Sequence, residues 1–229
     1  LLLATLALGG LLAFVGQTYQ TGADAWQLFA TWAALALVWA LAVRRDAFWA
    51  VWLLITGLAL ALWSGDALFS PLQTLLGGRS SRSLLTPVLW VAVFLLPLAL
   101  PRLRLLREGA ATAPLSWRLA ALMALGAWCA YAVFGLLMRD QLWQYFFNGL
   151  LVLGAAALAW ALRPRDFVVL GLSVLALNVV VVGGFARLLL DGARGDSAGV
   201  TLLLTLIAAV CVGTSGTWLY RLQREEGQA

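Results

Sequence analysis

Residues 26–63 read WQLFATWAALALVWALAVRRDAFWAVWLLITGLALALW, two apolar runs parted only by Arg44-Arg45-Asp46. Each run, Trp26 to Val43 and Ala47 to Trp63, is close to the roughly 17-residue lower limit for a helix crossing the hydrocarbon layer, so both should stand fairly upright. Lipid offers the backbone no water, so every N–H and C=O must be satisfied within the run, which makes each run a helix. A barrel strand would alternate in polarity at every second residue, and these runs do not. The Arg-Arg-Asp break is then a turn at the membrane surface. Asp46 precedes the second run, where its carboxylate can accept that helix's free amide hydrogens.

The rest of the chain repeats this grammar. Hydrophobic residues make up 63% and charged residues 11% of 229 positions, with a mean hydropathy of +0.95; too few charges remain to clothe a soluble globule. Further spans cover Leu1 to about Thr18, Leu84 to Leu100, Trp117 to Met138, Leu142 to Leu162, Phe167 to Leu190 and Gly199 to Tyr220. The expected fold is an all-α integral membrane protein, a polytopic bundle of about eight transmembrane helices. Asp166 stands before the seventh span as Asp46 stands before the third, and Ser83, Ser116 and Ser197 are candidate caps for spans four, five and eight. Pro87 falls in a tolerant first turn, whereas Pro97 should bend or end the fourth span. Outside the spans, Ser70-Pro71 and Gly77-Gly78 bracket Leu68, Leu72, Leu75 and Leu76, which predicts a short helix lying on the membrane surface.

All fifteen basic residues are arginine, and the chain has no histidine. Arg44, Arg45, Arg102, Arg104, Arg107, Arg118, Arg163, Arg165, Arg221 and Arg224 fall on one side; Arg79, Arg82, Arg139, Arg187 and Arg194 fall on the other or near it. The richer side should be cytoplasmic, with both ends of this stretch there. Arg187 should snorkel from the end of the seventh span to the headgroups. Trp26, Trp49, Trp63, Trp117, Trp143, Trp160 and Trp218 lie near span ends, where interfacial anchors belong. The net charge of +5 fits anionic lipid and carries no nucleic-acid motif. Cys129 and Cys211 lie in separate spans without a CxxC or histidine partner, so they read as packing residues, and no metal or haem cofactor is expected. Leu1 opens inside an apolar run, as it would if the chain were a stretch of a longer protein.

Two passages resemble each other. Trp26-Gln-Leu-Phe-Ala-Thr31 and Trp143-Gln-Tyr-Phe-Phe-Asn148 share Trp-Gln-x-Phe-x and a hydrogen-bonding residue, then a span, then an Arg-Asp break. Taken literally, one polytopic membrane domain over residues 1–229 contains two candidate repeat units, 1–100 and 117–220. Units with an even number of spans would share an orientation.

The hairpin after the first span reads Gly16-Gln-Thr-Tyr-Gln-Thr-Gly-Ala-Asp-Ala-Trp26. It is rich in amides and hydroxyls; Gln17, Tyr19, Asp24 and Trp26 are candidate binding residues there, with Asp24 also placed to cap the second span. This GQ-x-Y-x-x-G-x-D-x-W pattern, followed by a span, an Arg-rich break and a Trp-rich span, resembles a family of predicted bacterial membrane proteins, domain of unknown function 2157. The resemblance runs over about Leu11 to Trp63 and implies a polytopic inner-membrane protein; it brings no reaction and no catalytic residue.

Deep in the spans polar residues are few. Asn178 is near the midplane and Asn148 shallower; both are candidates either for bonding across helices or for lining a solute site. Ala209, Gly213 and Thr217 form a small-residue ladder suited to close helix packing. The deep spans hold no Asp, Glu, Lys or His, which argues against proton-coupled transport and against an enzyme. The expected role is a scaffold, assembly factor or subunit, binding the lipid bilayer and another membrane protein or a second copy. The alternative is a facilitator of a neutral or lipid-like molecule, for which Gly183-Gly184 is the candidate helix break.

Overall fold

A computed structural model describes residues 3–5, 7, 9–11, 14, 24–64, 85–106, 113–137, 141–162, 166–192 and 197–226. The described positions between 3 and 14 are helical. Among the described residues seven further helices follow: α1 (Ala25–Val43), α2 (Asp46–Ser64), α3 (Leu85–Arg102), α4 (Pro114–Leu137), α5 (Leu142–Ala161), α6 (Phe167–Gly192) and α7 (Ser197–Glu226). All seven are long and apolar enough to cross a membrane. They reproduce the second to eighth expected spans to within a few residues, because an apolar run in lipid has no alternative to helix. The first span and the surface helix at 68–78 lie wholly or largely outside the described residues.

The chain forms two compact units, Leu1–Ala124 and Leu125–Ala229. In the first, α1 and α2 make an antiparallel hairpin. Arg44 ends α1 in the left-handed conformation, φ 52°, and its N–H donates to Ala40 O at 3.0 Å. Two amides in the first turn of α2, those of Phe48 and Trp49, donate to Arg45 O at 3.0 and 3.3 Å. Only a narrow strip of α1 is buried, Ala33, Ala36 and Ala40, spaced for one helical face. Ala33 and Ala36 cluster with Ile55; Ala40 joins Trp49, Leu100, Leu106 and Ala113. Small residues on α1 let α2 approach closely, which is how helices associate where lipid removes any net hydrophobic drive.

Helix α3 continues through Pro97 and Pro101 to Arg102, so Pro97 does not end it. Inside a membrane bundle the freed carbonyl is shielded by neighbouring helices, and proline is tolerated there. The helix stops in a Schellman arrangement: Leu105 N–H donates to Leu100 O at 3.0 Å and Arg104 N–H to Pro101 O at 3.2 Å. Arg104 takes the left-handed position at φ 55° where glycine is usual.

In the second unit α6 packs between α5 and α7. Gly183-Gly184 does not interrupt α6, which is helical from Phe167 to Gly192. A methyl group on Gly184 would overlap the Tyr145 hydroxyl, which donates to Val180 O at 3.0 Å. The glycine therefore makes room for a tyrosine bond between helices. Gly135 similarly admits the backbone of Tyr145, 2.9 Å from where its Cβ would be.

Candidate functional site

The charged residues at the helix ends hold neighbouring helices. Asp46, expected to cap α2, is the first residue of α2, and its carboxylate reaches across to α4 instead. Leu115 N–H donates to Oδ2 at 2.7 Å and Ser116 N–H to Oδ1 at 3.0 Å; Ser116 Oγ also donates to Oδ1. Pro114 occupies the first helical position, where its missing N–H costs nothing. Ser116, expected to be the cap, is inside the helix and fully buried. Asp166 behaves as expected, accepting Val168 N–H at 3.1 Å at the start of its own helix. At the far end of α4, Arg187 Nη1 donates to Leu136 O at 3.0 Å while its Nε pairs with Asp191 at 2.8 Å. The guanidinium faces the negative end of α4's dipole and does not simply snorkel outward.

Tryptophans supply a second set of ties. Trp32 Nε1 donates to Thr5 O at 3.0 Å, Trp52 Nε1 to Ala33 O at 2.9 Å and Trp49 Nε1 to Leu105 O at 3.1 Å. Trp49 and Trp117, read as interfacial anchors, are buried at 2% and 6% exposure. Trp143, Trp160 and Trp218 are about two-fifths exposed, as anchors should be, and the last two stack at 5.4 Å. Sequence position marks a tryptophan near a span end; only packing says whether its indole meets lipid headgroups or a neighbouring carbonyl.

The described candidate binding residues each bond to a neighbour within their own unit. Gln17 and Tyr19 lie outside the described residues. Asp24 occupies the N-cap position of α1 but makes no side-chain cap bond; its Oδ2 instead accepts the Trp26 indole N–H at 3.3 Å. Asn178 Nδ2 donates to Ser215 Oγ at 2.7 Å, linking α6 to α7. Asn148 is 2% exposed; its Nδ2 donates to Gln144 O at 2.8 Å and its buried Oδ1 has no hydrogen-bond partner. Thr31 makes the corresponding bond to Gln27 O at 2.8 Å, so the two similar passages share a local geometry while Thr31 is exposed.

The ladder residues Ala209, Gly213 and Thr217 are all exposed. Helix α7 turns Leu204, Ile207, Ala208, Cys211, Ser215 and Leu219 inward, and nothing lies within 4 Å of where a Gly213 Cβ would be. The ladder therefore does not pack within the described chain. The outward threonines keep their hydroxyls bonded to their own helix, Thr214 to Val210 O at 2.7 Å and Thr217 to Thr214 O at 2.9 Å, so this face is at ease away from water.

A groove of about 380 Å³ runs between α1 and α2, with Leu89 of α3 at its edge. Four alanines and the tryptophans Trp26, Trp52 and Trp63 are among the residues that line it, and its exposed lining is apolar. Sequence reading missed it, since an alanine in an apolar run gives no sign of whether a neighbour fills the space beside it.

These features belong to a polytopic membrane protein, and a comparison with known families agrees for the part that contains α1 and the start of α2. Residues 1–49 match the family model described as Predicted membrane protein (DUF2157). No curated protein and no solved structure matches the chain.

Proposed function

We propose that the chain is a non-catalytic component of a membrane complex, a scaffold, assembly factor or subunit that binds another membrane protein or a second copy through α7. The observation that carries this reading is the outward small-residue ladder on the face of α7 turned away from α6, exposed among the described residues. None of the apolar window of α7 is buried, against 17% to 50% in the other six spans, and α7 packs chiefly on α6. A glycine face lets a partner's backbone approach closely, the geometry that drives helix association in lipid. The arginine-rich ends of the spans favour a cytoplasmic placement in an inner membrane.

The alternative, a facilitator of a neutral or lipid-like molecule, is less well supported where the solute is polar. It needs a hydrated path by Asn148 and Asn178, whereas one is enclosed and the other is bonded to Ser215.

The test is purification from native membranes in mild detergent, with Gly213→Leu as the interface variant. Wild type should elute as a stable complex, hetero-oligomeric or homo-oligomeric, and the variant as the lone, folded chain. A monomeric wild type, or a variant that keeps its partner, refutes the reading.

A further inference from the structure

We propose that the groove between α1 and α2 is a binding site for one acyl chain of a membrane phospholipid, drawn from the leaflet in which α1 begins. The groove extends along α1 from Trp26 to Leu37, about 16 Å at the helical rise per residue. One leaflet of a hydrocarbon core about 30 Å thick is about 15 Å deep. The groove thus runs from the interface to the midplane and stops, which matches the reach of a single lipid tail.

Its chemistry excludes polar ligands. Each polar side-chain group with a described bond at the groove is turned to a protein acceptor: Trp52 Nε1 to Ala33 O, Thr56 Oγ1 to Trp52 O at 2.8 Å, and Trp26 Nε1 to Asp24. A polar solute would lose its hydration and find no hydrogen bond in exchange. The volume falls in the range of small-ligand sites.

The groove is also continuous with the lipid-facing side of α1. Ala34 is exposed, and the next residues outward, Leu35 and Val38, are 43% and 64% exposed. A tail can enter sideways from the bilayer without crossing a polar barrier. A partner helix would stand 8–10 Å away axis to axis and insert separate side chains; an apolar groove open along α1 from Trp26 to Leu37 suits a single flexible chain. This site lies on the first unit and is independent of the α7 face.

The experiment uses the full chain in two settings. Native mass spectrometry of the detergent-purified protein should show one retained phospholipid per chain. Ala34→Phe and Ala30→Phe, which place a ring in the slot from exposed and half-buried positions, should each lower the lipid-bound fraction about tenfold or more. Leu35→Phe, outside the groove, should leave it unchanged. In phosphatidylcholine bilayers carrying a diazirine in the acyl chain, cross-links should map to residues 26–37 and 52–63 of the wild type and fall in the two filled variants. Unfolding midpoints close to that of the wild type establish that the variants are folded. Absence of retained lipid together with cross-links elsewhere but not in these segments overturns the proposal. A retained mass corresponding to free fatty acid overturns the phospholipid source, and equal retention by Ala34→Phe overturns the site.

Discussion

Replacing Asp46 by alanine tests whether a carboxylate on one helix holds the start of another. In the structure Asp46 accepts two backbone amides of α4, at 2.7 and 3.0 Å, and the Ser116 hydroxyl. Loss of a helix cap costs about 1 kcal/mol. Ser116 is fully buried, and stranding its N–H adds about 1–3 kcal/mol. The variant D46A should therefore lose about 3 kcal/mol, whereas D46N, which keeps an acceptor oxygen and gives up the charge at the helix N-terminus, should lose about 1 kcal/mol. Reversible unfolding in mixed micelles, followed by circular dichroism, measures both. The decisive comparison adds S116A and the double variant. If Asp46 bonds Ser116, the two losses couple by 0.5–3 kcal/mol, whereas independent sites add to within about 0.5 kcal/mol. Strict additivity of D46A and S116A, or a D46A loss under about 1 kcal/mol, would return Asp46 to capping its own helix and refute the cross-helix tie.

Three further outcomes follow from the packing. Gly184→Ala should destabilise by about 1–3 kcal/mol through overlap with the Tyr145 hydroxyl, and Tyr145→Phe in the same chain should recover part of that loss; a neutral Gly184→Ala on the same unfolding assay contradicts the close approach. Asn178→Ala and Ser215→Ala should couple by about 0.6 kcal/mol, the usual size of a polar tie between membrane helices, and a double-mutant cycle with no coupling rules the bond out. Trp49→Phe should cost about 1 kcal/mol more than Trp90→Phe, because Trp49 gives up its bond to Leu105 O while the buried Trp90 indole N–H has no acceptor to lose; equal losses in unfolding free energy would contradict that assignment.

The Trp26 to Trp63 stretch shows what can be read from order alone. Its two apolar runs and Arg-Arg-Asp break locate α1 and α2 almost to the residue, because helix formation in lipid depends on the run itself and needs no knowledge of neighbours. The same local logic places Asp166 at its cap. The use made of each residue depended on what lay opposite it. Asp46 stands before an apolar run, yet it serves α4, nearly seventy residues away. Trp49 and Trp143 both lie near span ends, and only one is enclosed. Gly184 reads as a helix breaker and is a pocket for a hydroxyl. Ala209, Gly213 and Thr217 read equally well as internal packing or as an outer face, and α6 packs on the other side of α7. Periodicity fixes the direction of a side chain relative to its own helix; rotation of that helix against its neighbours decides whether the direction means core, lipid or partner. The sequence thus determined the spans and their apolar character, and the tertiary structure alone decided the ties between helices, the lipid-sized groove and the uncovered face of α7.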